Sequence, residues 1–155
     1  MRIVMAGASG FLGTHLVSRL TAEGHEIVRL VRRPPRGRDE IEWAPAQGRL
    51  DPAALAGADA VINLAGANVG AQRWTARYRA VIRTSRTDTT GTIARTIAAL
   101  PAADRPPVLL NSSAVGWYGD TGDQPVEEDA PPGEGFLADV AREWEAAVRP
   151  AQEAG

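Results

Sequence analysis

No cysteine occurs in the 155 residues and no lysine either; all 17 basic side chains are arginine. The first absence removes disulfides, thiolate metal sites and cysteine nucleophiles. The second removes lysine from every catalytic role, whether as Schiff-base former, phosphate binder or partner of an acid/base group. A P-loop nucleotide hydrolase is excluded on that ground and again by its glycine spacing. A dominant charge of one sign is also missing. With 17 bases against 19 acids the net charge is −2, which argues against a nucleic-acid or polyanion partner. Long hydrophobic runs are lacking as well: the apolar N-terminal stretch soon meets glycine and is too short for a signal core or a membrane span. The cytoplasm is therefore the expected compartment, with no membrane partner. His15 and His25 have no second ligand at metal spacing, so no metal site is expected. Hydrolase chemistry would call for an elbow of the Gly-x-Ser-x-Gly kind, and there is none.

What is present begins at the N-terminus. A strand-like run, Arg2-Ile3-Val4-Met5-Ala6, leads into Gly7-Ala8-Ser9-Gly10-Phe11-Leu12-Gly13. Leu12, Leu16 and Leu20 then lie on one helical stripe beside Val17. Strand, glycine turn and helix together make a phosphate-site signature, which the glycines alone would not. Gly7 allows the tight turn out of the strand, Gly10 lets the backbone approach a pyrophosphate, and Gly13 permits close packing of helix on strand. Free N–H groups and the positive helix end then face the anion. The pattern predicts a dinucleotide site.

The rest of the chain alternates strand and helix. Glu23-Gly24 ends the first helix, with Gly24 in a left-handed cap. A second strand covers Glu26 to Val31, and Arg32 to Arg38 is a breaker-rich loop. Glu40 to Trp43 reads as a weak third strand. Asp51 caps a short helix reaching Leu55, with Pro52 in its first turn. Asp59 to Ala65 is a strong fourth strand whose unbroken apolar run suits a parallel sheet buried on both faces. A long helix from about Thr75 to Leu100 is expected to break near Thr87 to Gly91. Pro107 to Ser112 forms a fifth strand, Gly116 to Gly135 is loop, and Phe136 to Glu153 is a last helix. This order predicts an α/β fold, a doubly wound parallel sheet, over one domain spanning residues 1–155. The chain ends on a helix where a sixth strand is due, so it is expected to be the front part of a longer protein.

Several motifs together resemble the extended short-chain dehydrogenase/reductase superfamily, in its epimerase/dehydratase branch. Gly7-x-x-Gly10-x-x-Gly13 is similar to that group's glycine motif. Asn63-Leu64-Ala65-Gly66 stands where the superfamily places an Asn-Asn-Ala-Gly-like segment. Ser112-Ser113-Ala114-Val115-Gly116-Trp117-Tyr118-Gly119 is similar to its fifth-strand end. Arg73-Trp74, Ser85-Arg86, Pro131-Pro132-Gly133 and Trp144-Glu145 resemble a poorly characterised group of nucleotide-sugar epimerase-like proteins. The resemblance implies a Rossmann domain that binds NAD(P) and carries out epimerase-type oxidoreductase chemistry on a small, sugar-like substrate. It also implies that Leu64, Ala65, Gly66 and Ser112 join Gly7 to Gly13 along the cofactor, and that a substrate-side C-terminal part is missing.

The departures concern catalysis. The superfamily uses a Tyr and a Lys four residues apart on a helix, with a Ser or Thr at the fifth-strand end. By spacing, Phe136 and Val140 hold the first two positions here and Ala114 the third. A phenyl ring transfers no proton. Ser113, next to Ala114, and Tyr118 remain as the candidate catalytic pair, although Tyr118 equally suits a loop aromatic that only covers the cleft. Glu127, Glu128 and Asp129 read as a solvated acidic face. Arg32 and Arg33 end the second strand, where an acid would bind the ribose hydroxyls of NAD. Arginine there can grip a 2′-phosphate with two N–H groups, so NADP is the expected cofactor rather than NAD. Trp74, Tyr78 and Ile82 recur every four residues and mark a buried or interface stripe. A homodimer is the expected assembly. Two functions fit: an oxidoreductase domain with an atypical catalytic set, or a non-enzymatic NADP-binding module that senses cofactor state.

Overall fold

The computed structural model describes all residues 1–155. Five strands, β1 (Arg2–Ala6), β2 (Glu26–Val31), β3 (Glu40–Glu42), β4 (Ala60–Asn63) and β5 (Leu109–Asn111), form one parallel sheet in the order β3-β2-β1-β4-β5. Four helices accompany them: α1 (Phe11–Ala22), α2 (Ala76–Ala99), α3 (Phe136–Ala146) and α4 (Arg149–Ala154). Reversal of strand order on either side of β1 is the doubly wound arrangement, and it opens a crevice at the strands' C-terminal ends.

Alternation along the strands explains why both faces are covered. In β1, Val4 and Ala6 point to one side and join Val28, Leu30, Val61, Ile93 and Ile97 in the larger core. Ile3 and Met5 point to the other and meet Ile27, Ala60 and Ile62, over which Leu16, Val17 and Leu20 of α1 pack. Side-chain period two in the strands and burial on both faces account for the near-continuous apolar runs. Leu12 does not join the α1 stripe as expected; it is 64% exposed in the first turn of the helix.

Three local expectations are corrected. The long helix does not break near Thr87 to Gly91, since α2 is continuous from Ala76 to Ala99. Thr87 and Thr89 bond back to the carbonyls of Arg83 and Ser85, and Thr89 to Ala94 are buried, so packing overrides weak helix propensity. The last helix is two helices, α3 and α4, because Pro150 has no N–H to give and its ring would crowd the carbonyl four residues back. The stretch from Gly116 to Gly135 is not all loop: residues Val115–Tyr118 form a 3-10 turn. The short helix capped by Asp51 is present as a 3-10 turn over Pro52–Ala54, with the Asp51 carboxylate accepting from Ala53 N–H at 3.0 Å. β5 is an open edge, with Leu110 56% exposed. No helix is long and apolar enough to cross a membrane.

Candidate functional site

At the C-terminal ends of β1, β2 and β4 lies a cleft of about 480 Å³. Its walls bring together Gly7, Ala8, Ser9 and Gly10 from the glycine turn, Arg32 and Arg33 from the β2 end, and Leu64, Ala65 and Gly66 from the β4 end. These segments are far apart in sequence and meet only because β2 and β4 flank β1.

The glycines have three distinct reasons to be glycine. Gly7 has φ +78, and a Cβ there would stand 2.6 Å from the Leu64 carbonyl carbon. Gly13 is buried in α1, and a Cβ there would reach 2.2 Å from the Gly7 carbonyl oxygen. Both positions are closed to any side chain. Gly10 is different: it donates its N–H to Gly7 at 3.0 Å, and a Cβ there would meet only the Gly7 carbonyl oxygen, at 3.3 Å. The space above Gly10 is a cradle that a side chain would fill, which fits a pyrophosphate lying against the first turn of α1.

Phe11, Leu12, Gly13 and Ser112 lie outside the lining of this cleft. Phe11 and Leu12 form the first turn of α1 with exposed side chains. Ser112 directs both its N–H and its hydroxyl to the Asn63 carbonyl, at 3.0 Å each, and ties β5 to β4.

The cleft also contains residues that the sequence had not placed at the cofactor: Arg29, Glu40, Trp43, Ser85 and Thr89, of which only Ser85 carried a signal, as part of the Ser85-Arg86 motif. Glu40 decides the electrostatics. Parallel pairing sets it beside Arg29. Arg33 donates Nη1–H to its Oε2 (2.7 Å) and Nη2–H to its Oε1 (2.8 Å), and the Arg36 N–H donates to Oε2 at 2.7 Å. These bonds, led by the one from Arg33, hold the Glu40 carboxyl at a pKa of about 2, and the same pair raises the pKa of the Arg33 guanidinium. Arg32, by contrast, is exposed and makes no hydrogen bond or ion pair with the protein. It is the free cation of the rim.

Beneath the cleft a buried polar network fixes the β4 end. Asn63, 0% exposed, donates Nδ2–H to Thr90 Oγ1 (2.9 Å) and Asn111 Oδ1 (2.7 Å), while its Oδ1 accepts from Ala65 N–H at 3.2 Å. Thr90 donates to Asn111 Oδ1 and accepts from Trp144 Nε1–H, both at 2.9 Å. Four elements are locked at one point, and the direction of the Leu64-Ala65-Gly66 backbone is locked with them.

A second cleft of about 430 Å³ opens at the β5 end, lined by Ser113, Ala114, Tyr118, Glu128 and Glu145 among others. It brings the two candidate catalytic residues together and adds carboxylates that sequence spacing did not associate with them. The Ser113 hydroxyl donates to the Glu145 carboxylate. Phe136 and Val140 turn away toward α2. Val140 is buried with Tyr78 and Ile82, and the Phe136 ring lies edge-on to Trp74 at 5.5 Å. The Trp74–Tyr78–Ile82 stripe is thus covered largely by α3 of the same chain. Of the helical arginines, Arg83 pairs with Glu143 at 3.3 Å. Arg86 stacks on Trp144 and bonds the Ala67 and Ile82 carbonyls, and burial lowers its pKa.

Comparison with known proteins agrees with this arrangement. Residues 3–138 match the NAD dependent epimerase/dehydratase family. Epimerase family protein Mb2239 of Mycobacterium bovis is 40% identical over 153 residues, covering 99% of this chain and 50% of its own length. The crystal structure of human epimerase family protein SDR39U1 with NADPH superposes with a TM-score of 0.81 at 32% identity, covering 96% of this chain and 49% of that one. The nucleoside-diphosphate sugar epimerase from Corynebacterium glutamicum does so with a TM-score of 0.83 at 32% identity, covering 100% and 32%. The chain spans about half the length of the curated relatives it matches. With its glycine turn, strand order and cleft, the chain belongs to the NAD dependent epimerase/dehydratase family, within the extended short-chain dehydrogenase/reductase type.

Proposed function

We propose that this chain is the NADP-binding part of an epimerase-like oxidoreductase that acts on a small, sugar-like hydroxylated substrate. The observation that carries the reading is the single cleft in which the glycine turn, the free Arg32 and the β4 end converge. The NADPH in the human SDR39U1 crystal adds support. Backbone N–H groups of the turn at residues 7–13 bind the pyrophosphate, and Leu64 to Gly66 line the path of the dinucleotide. Arg32 takes the 2′-phosphate, with Arg33 beside it. When bound, the nicotinamide supplies a hydride acceptor or donor for a carbinol carbon. Tyr118 then holds or moves the proton of the substrate oxygen, and Ser113, oriented by Glu145, positions that oxygen.

Titration of NADPH into the chain tests the binding half. Saturable binding that Gly10→Asp abolishes is expected, and absence of binding would refute it. Residues 1–155 alone should show no appreciable turnover with sugar nucleotides. In a chain extended to the length of its relatives, Tyr118→Phe should cut turnover by about two to four orders of magnitude. Unchanged kinetics would leave Tyr118 as an aromatic cover. The second reading, a non-enzymatic NADP-binding module, draws on the missing lysine and would be favoured if the extended chain bound NADPH without turnover.

A further inference from the structure

Arg33 has two edges that can grip an anion: the end formed by Nη1 and Nη2, and the side formed by Nε and Nη2. Glu40 occupies the end with bonds of 2.7 and 2.8 Å, and the Pro34 carbonyl takes the other Nη1–H at 3.0 Å. The side edge, Nε–H with the second Nη2–H, has no protein acceptor, and Arg33 lines the cofactor cleft. Glu40 is itself rigidly held. Its side chain is 4% exposed, it lies in β3 paired to β2, and the Arg36 N–H fixes one oxygen. We infer that Glu40 is a specificity-determining positioning residue: by clamping one edge of Arg33 it aims the other at the adenosine 2′ position, and so favours a phosphate over a hydroxyl there. This rests on the NADP reading above. Arg32 then supplies mobile charge, and Arg33 supplies direction.

At this site direction and simple charge act in opposite senses. Removing a carboxylate beside the site adds one positive charge, which alone would strengthen binding of the phosphorylated dinucleotide. Loss of the clamp weakens it instead. In Glu40→Gln the side-chain amide sets an NH₂ against one of the Nη donors, so Arg33 keeps at most one bond to that side chain beside the one to Pro34, and its end is no longer clamped. The test is calorimetric titration of NADPH and NADH into wild type, Glu40→Gln and Arg33→Lys, with thermal melts to confirm folding. The NADPH-over-NADH affinity ratio is expected to fall by about three- to tenfold in Glu40→Gln, the scale of one lost directional bond. It should fall similarly in Arg33→Lys, which keeps the charge but has no second edge. A ratio that holds or rises in Glu40→Gln overturns the inference, and so does an unchanged ratio in Arg33→Lys should Glu40→Gln not fold. Equal affinities in wild type would overturn the NADP reading itself, which separates the two failures.

Discussion

Replacing Arg32 by aspartate isolates the cofactor choice from stability, because Arg32 has no partner to orphan. Its guanidinium is exposed and makes no hydrogen bond or ion pair with the protein, so the fold should lose no more than about 0.5 kcal/mol. Toward a 2′-phosphate it can offer a charge-assisted contact worth about 1.5–3 kcal/mol, roughly tenfold to a hundredfold in affinity. Wild type should therefore bind NADPH at least about tenfold more tightly than NADH at low salt. Arg32→Asp removes that contact, repels the phosphate and supplies an acceptor for the ribose hydroxyls, so the preference should vanish or invert. Arg33→Ala should weaken it less. Because the side chain is exposed, the preference should shrink as the screening length falls from about 30 Å at 0.01 M salt to about 10 Å at 0.1 M. Calorimetric titration of both dinucleotides at two salt concentrations measures every quantity named. Equal affinities in wild type, or an unchanged ratio in Arg32→Asp, would refute the reasoning.

The remaining predictions concern the scaffold of the site. Gly13→Ala should destabilise the fold by about 1–3 kcal/mol or more, since its Cβ would stand 2.2 Å from the Gly7 carbonyl oxygen. Gly10→Ala should instead change stability by less than about 1 kcal/mol while weakening dinucleotide binding; chemical denaturation and titration separate the two. Thr90→Val leaves the Asn63, Asn111 and Trp144 groups short of a partner and should cost at least about 1–3 kcal/mol by denaturant unfolding. The ionised Glu40 contributes stability that is fully present above its unfolded pKa near 4.5 and is lost as the pH falls through its folded value of about 2. The stability gap between wild type and Glu40→Gln, read from denaturant melts, should therefore be constant above pH 4.5 and close toward pH 2; a gap independent of pH would refute the role of that ion pair.

Local physics was legible in the amino-acid sequence: the strand, glycine turn and helix at the N-terminus, the buried parallel strands and the Asp51 cap. Each depends on residues within a few positions of one another, where steric and hydrogen-bond rules act without reference to the rest of the chain. The family resemblance was legible for the same reason, as a set of local motifs in order. The sequence misled where local and tertiary preferences disagreed. Threonines near Thr90 suggested a break in α2, yet burial of Thr89 to Ala94 keeps the helix continuous, and Pro150 divides what looked like one helix. Only the tertiary structure decided the site's electrostatics. Glu40 looked like part of a weak strand, and pairing of β3 with β2 turns it into the partner of Arg33, leaving Arg32 free. Spacing put Phe136 and Val140 at the catalytic positions, and packing of α3 on α2 turns both away while presenting Glu145 to Ser113. A charge takes its meaning from what surrounds it in space, and pairing between strands and helices far apart in the chain is what sets those surroundings.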